Sequence, residues 1–156
     1  MKRILAIASK GGHFVQLDRI TRSLSQEYGG AYHLTYVSTS TEVPAPAGEL
    51  YTITDFSRWN FYRLPIVFFH ILHLILRIRP QVIISTGAAP GLVAIIAGKF
   101  CGKRSIWIDS MANVDKPSMS GKIASYIATK SYVQYPHLTS KRMRYIGNAF
   151  LDLKQQ

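Results

Sequence analysis

Short runs of aliphatic and aromatic residues punctuate the chain, several of them bounded by Gly, Pro or Ser: RILAIA (3–8), YHLTYVS (32–38), LYTIT (50–54), QVIIST (81–86), SIWID (105–109) and SYVQY (131–135). Runs of this length between turn formers read as strands. Between most of them apolar positions recur at helical spacing, which predicts helices over about 12–27, 60–78, 90–101 and 119–129. The segment STSTEVPAPAGE (38–49) combines Ser, Thr and Pro without an apolar period and reads as a loop. Alternation of strand and helix predicts an α/β fold: an open, mostly parallel, Rossmann-like sheet with helices on both faces.

At 156 residues the chain fits a single domain that buries its own core. Its one cysteine, Cys101, excludes an intramolecular disulfide and any CxxC metal site, as expected in the cytoplasm. The opening MKRILAIASKGG imitates the basic start of a signal peptide, but a glycine turn follows too soon, so it reads as a first strand. A formal net charge of +11 calls for an anionic partner: nucleic acid, a phosphorylated substrate or an acidic membrane surface.

In an open parallel sheet, ligands bind beyond the carboxyl ends of the strands, which directs attention to three places. The first is Ser9-Lys10-Gly11-Gly12-His13, where glycines permit close backbone approach and a helix start offers N–H groups to a phosphate. There His13 is either a general base, a hydrogen-bond donor to a diphosphate, or simply a capping or solvated side chain. The second is STGAAPG, in which Thr86, Gly87 and Ala88 make the turn while Pro90 and Gly91 open an apolar helix. The third is IWIDSMANV, where Asp109 ends an apolar strand and Ser110 and Asn113 follow; Asp109 is either a helix or turn cap or a working carboxylate. Neither glycine loop matches GxGxxG, and SGKIAS lacks the upstream glycine of a P-loop.

FYRLPIVFFHILHLILRIRP (61–80) is the most apolar stretch. On a helix Arg63, His70, His73 and Arg77 share a sector of roughly 80° and leave the rest apolar. From Leu64 to Ile78 such a helix extends about 22 Å, short of the roughly 30 Å hydrocarbon core, so it is expected not to span a bilayer. It is either buried between sheet and partner or laid in the membrane interface, presenting Arg63, Phe68, Phe69, Leu72, Leu76 and Arg77. No carboxylate or cysteine accompanies the histidine pair, which reads as polar decoration and not as a metal site.

ASKGGHFVQL, VIISTGAAPG, IWIDSMANV, SMSGKIA and YIGN, in this order, resemble the PssD-like bacterial polysaccharide-biosynthesis subunits. These are relatives of the membrane subunit of the eukaryotic N-acetylglucosaminyltransferase that builds chitobiosyl-diphosphodolichol. The resemblance covers Ile4 to about Asn148. It implies the N-terminal, acceptor-binding half of a GT-B glycosyltransferase as a domain over 1–148, with 149–156 as a tail. It further implies a separate, PssE-like donor-binding subunit, a UDP-sugar donor, a polyprenyl-diphosphate-linked acceptor and a peripheral position on the inner face of the cell membrane. By the same analogy the loop with His13 faces the acceptor diphosphate and reacting hydroxyl, STGAAPG walls the same cleft, and Asp109 is a candidate base or orienting group.

The expected chemistry is inverting transfer without a metal ion, in keeping with a sequence that has no DxD motif. The rival expectation is a non-catalytic scaffold that docks on the membrane and presents the acceptor to its partner. A nucleic-acid binder fits the charge, but a recognition-helix pattern, an aromatic RNP-type strand and a basic tail are all missing from the sequence.

Overall fold

The computed structural model describes residues 1–148 except Ala45, Ala47 and Ser57; the expected tail lies outside the described residues. The strands are β1 (Lys2–Ile7), β2 (Tyr32–Ser38), β3 (Glu49–Thr52), β4 (Val82–Ser85), β5 (Arg104–Ile108), β6 (Lys130–Val133) and β7 (Arg144–Tyr145). The helices are α1 (Gly12–Tyr28), α2 (Leu64–Ile78), α3 (Ala88–Phe100) and α4 (Met119–Ile127). All strand pairs are parallel, in the order β3-β2-β1-β4-β5-β6-β7. The chain builds outward from β1 to β3 and then crosses back through α2 to β4. The strand order therefore reverses between β1 and β4, where such sheets form their crevice.

Strand periodicity sorts the core into two layers. Ile4, Ala6 and Ala8 of the β1 segment join Leu34, Tyr36 and Ile84 beneath Phe14 and Leu17 of α1. Leu5, Ile7, Val37, Ile83 and Trp107 point the other way, into the layer of α2, α3 and α4. The expected Rossmann-like parallel sheet with helices on both faces is what forms.

Two features differ from the sequence reading. β7 has two residues, too few to show an alternation. The helix expected from residue 60 is divided: a 3-10 segment, Arg58–Arg63, has non-helical dihedrals at Asn60, and α2 starts at Leu64 with Pro65 in its first turn.

Taken with its 3-10 segment, Trp59–Ile78 is a 20-residue apolar stretch of mean hydropathy 1.5, long and apolar enough to cross a membrane by length and composition. The length argument against spanning therefore gives way to a packing one. Val67, Ile71, Leu74 and Ile75 are buried in the core, so one side of α2 is already committed. Of the side chains expected to meet lipid, Phe69, Leu76 and Arg77 are exposed, whereas Arg63, Phe68 and Leu72 are half-buried. The Phe68 ring lies edge-on to Phe69 and Phe100, with centroids 5.7 and 6.3 Å away.

Candidate functional site

The first two strand ends meet at the switch point. Gly11, with φ 83°, turns the chain from β1 into α1, and its carbonyl accepts from the N–H groups of Phe14 and Val15. The backbone N–H of Lys10 donates to Thr39 Oγ1 at 3.0 Å, bringing the end of β2 into the same wall. The hydroxyl of Thr39 was not among the expected site residues because nothing in its polar loop sets it apart. Ser9 is half-buried, while Lys10 and Gly12 are exposed.

His13 and Thr86 hold each other from both sides. The imidazole Nδ1 lies 3.2 Å from the Thr86 carbonyl, and Thr86 Oγ1 donates to the His13 carbonyl at 2.6 Å. A carbonyl only accepts, so Nδ1 carries the proton in this contact and a neutral ring keeps its lone pair at Nε2. The ring packs on Gly87: a β-carbon there would stand 2.7 Å from Nδ1, and φ is +136°. Only glycine meets both demands.

The next residue, Ala88, has φ 63°, a left-handed conformation that costs a side-chain-bearing residue about 1–2 kcal/mol. Pro90 and Gly91 are buried in the first turn of α3, where the lack of a side chain at 91 leaves room for the Ser85 hydroxyl. Neither α1 nor α3 has a side-chain cap. The Phe14 N–H is taken by the Gly11 carbonyl and Pro90 has none, which leaves the N–H groups of Gly12, His13, Ala88 and Ala89, with the positive dipole ends, to an anion in the crevice.

The third strand end is organised differently. Asp109 is 1% exposed. Its Oδ1 accepts from Trp107 Nε1 and Ser118 Oγ, and its Oδ2 accepts from the Ser118 N–H and Asn113 Nδ2. Gly121 packs so closely on Oδ1 that a β-carbon there would collide with it. Ser118 in turn caps α4 by accepting from the Gly121 N–H at 2.8 Å. Ser110 is buried, and its Oγ accepts from the Ala112 N–H.

Among the described residues no hydrogen bond joins this group to His13: both Asp109 oxygens, Ser110 Oγ and Asn113 Nδ2 bond within the 107–118 segment. Both oxygens of the buried Asp109 carboxylate are thus engaged by its own loop, the environment of the cap or turn aspartate that is one of the sequence's readings beside base and orienting group. Two residues outside the expected set complete the loop's support. Tyr135 Oη donates to the Met111 carbonyl at 2.8 Å, and His137 Nε2 lies 2.6 Å from the Val114 carbonyl. They lie 24 and 23 residues downstream of the atoms they hold, a pairing that local patterning does not reveal.

Comparison with known proteins adds the following. The family described as "Oligosaccharide biosynthesis protein Alg14 like" matches residues 59–149. The UDP-N-acetylglucosamine transferase subunit ALG14 of Mus musculus is 24% identical over 173 residues, an alignment covering 89% of this chain and 78% of the mouse protein. Among solved structures, MurG of Acinetobacter baumannii superposes with a TM-score of 0.76 at 13% identity, over 100% of this chain and 49% of that one. The UDP-GlcNAc 2-epimerase of Methanocaldococcus jannaschii, solved with UDP-GlcNAc and UDP, gives 0.69 at 10% identity, over 95% and 47%. The chain spans about half the length of these solved structures, and at such identities the likeness is one of fold.

Proposed function

The chain belongs to the Alg14-like family of oligosaccharide biosynthesis proteins, and from that premise we propose that it forms the acceptor-binding half of a two-component glycosyltransferase. In this reading it lies on the PssD-like branch that serves surface and exopolysaccharide synthesis. A PssE-like subunit binds the UDP-sugar, and the sugar passes with inversion to a polyprenyl-diphosphate-linked saccharide at the inner face of the cell membrane.

The observation that carries this reading is the crevice between β1 and β4, where two uncapped helix starts flank a histidine fixed by its Nδ1. The N–H groups opening α1 and α3 hold the acceptor's diphosphate. His13 Nε2 takes the proton of the acceptor hydroxyl as its oxygen bonds the anomeric carbon, and the nucleotide diphosphate leaves with the electron pair. The outward side of α2, with Phe69 and Leu76, rests on the membrane and keeps the crevice near the lipid-borne substrate.

The test is reconstitution of the chain with its donor-binding partner, a UDP-sugar and a lipid-linked acceptor. His13→Ala is expected to abolish turnover while the complex still forms; undiminished turnover would remove the catalytic role. A second reading draws support from the engagement of Asp109, which leaves His13 as the candidate base of the crevice among the described residues. In it the chain presents the acceptor and the partner performs all the chemistry. His13→Ala would then raise the KM for the lipid acceptor and leave kcat unchanged.

A further inference from the structure

The helical layer that carries α2 has a second outward apolar face. α4 buries Gly121 and Ala124, packs the half-buried Ile127 against the core, and turns Met119, Ile123 and Tyr126 outward, exposed by 71%, 44% and 72%. On a helix those positions fall within roughly 60° of one another and opposite the buried pair. A surface helix facing water shows the reverse, with large apolar residues inward and polar ones outward. α2 buries Val67, Ile71, Leu74 and Ile75 on one side and still turns Ile66, Phe69 and Leu76 outward. α3 packs against both α2 and α4 and ends in Phe100, 77% exposed. Large apolar side chains are therefore exposed on every helix of one layer, beyond the scattered singles of an ordinary surface.

The charge around this layer has one sign. From Phe56 to Asn148 the sequence contains only two carboxylates, Asp109 and Asp115, and Asp109 is buried. Beside α4 a groove of about 400 Å³ separates the helix from the 140–143 turn, bordered by Lys122, Lys141 and Arg142. The Arg142 guanidinium stands 4.1 Å above the Tyr126 ring. Arg77 and Lys99 lie in the last turns of α2 and α3.

An apolar surface fringed by cations, with a tyrosine beneath one of them, has the composition of a face that enters the headgroup region of an anionic bilayer. Continuity with α2, whose Trp59–Ile78 stretch is long and apolar enough to cross a membrane, favours lipid over a protein partner. We propose that α4 is a second membrane-contacting helix, which with α2 straddles α3 and docks the layer on anionic lipid. This inference rests on the membrane reading of α2 given above.

The experiment measures partition of the full chain onto phosphatidylcholine–phosphatidylglycerol vesicles and onto pure phosphatidylcholine vesicles, with circular dichroism to verify folding. Met119→Glu with Ile123→Glu is expected to lower partition roughly tenfold or more on the anionic vesicles. Lys122→Gln with Lys141→Gln lowers it by about fivefold per charge, and only where the lipid is anionic. If the Met119/Ile123 variant partitions like the parent while Phe69→Glu with Leu76→Glu does not, the proposal fails and α2 docks alone. If neither pair matters, the membrane reading falls with it. If the Met119/Ile123 variant binds vesicles normally but loses its donor-binding partner or its self-association, the face belongs to a protein and the proposal is overturned.

Discussion

The loop after β1 and the loop after β5 look alike as sequence: an apolar strand, then a titratable residue among small polar ones. In the folded chain they differ in what is left over. Around Asp109, Trp107, Asn113 and Ser118 fill the carboxylate's accepting positions, and Ser118 goes on to cap α4. Around His13 the backbone takes one ring nitrogen and leaves the other, and the helix starts on either side go uncapped. A buried polar group with every bond made stabilises a fold; a fixed one with a bond still to make is suited to a ligand.

The largest effect expected from this contrast is on rate at the crevice. His13→Ala should cost roughly 10²–10⁴ in kcat of the reconstituted enzyme with little change in melting temperature. Parallel losses of rate and stability would mean that His13 is structural too. Next comes Asp109→Ala, which strands the buried Trp107 N–H and the Ser118 N–H; about 3 kcal/mol of stability should be lost in denaturant titration. An Asp109→Ala chain that melts normally yet turns over nothing would return Asp109 to the chemistry.

A matched pair of substitutions sharpens the comparison further. Gly121→Ala drives a methyl group into Asp109 and should cost about 1–3 kcal/mol of stability. Gly87→Ala pushes the His13 ring aside and should reduce turnover more than it reduces the melting temperature. The smallest effect is expected for Thr86→Val, which removes the 2.6 Å bond to the His13 carbonyl: about 1 kcal/mol, read as a modest rise in KM for the acceptor.

Much of this was readable beforehand, because short apolar runs and helical spacing are local signals. They gave the parallel sheet, and the rule of strand ends pointed to His13, Thr86 and Gly87. What eluded that reading has identifiable causes. The inward aim of Asp109 follows from strand parity, since Ser105, Trp107 and Asp109 are all buried on one side of β5, but attention to the strand end alone passes over it. Thr39, Tyr135 and His137 act through partners distant in sequence. In the 60–78 segment Pro65 marks the start of α2 at Leu64, a signal the apolar run obscures, whereas the non-helical dihedrals of Asn60 carry no mark in the sequence.

The reciprocal His13–Thr86 latch also bears on how the chain matures. Its two halves are separated by 73 residues, one in the first turn of α1 and the other just after β4, a strand that joins β1 only after α2 has crossed the sheet. Closing so distant a contact is entropically slow and needs both sides already ordered. A nascent or half-folded chain accordingly lacks the latched ring, and the crevice is completed only when the two half-sheets join.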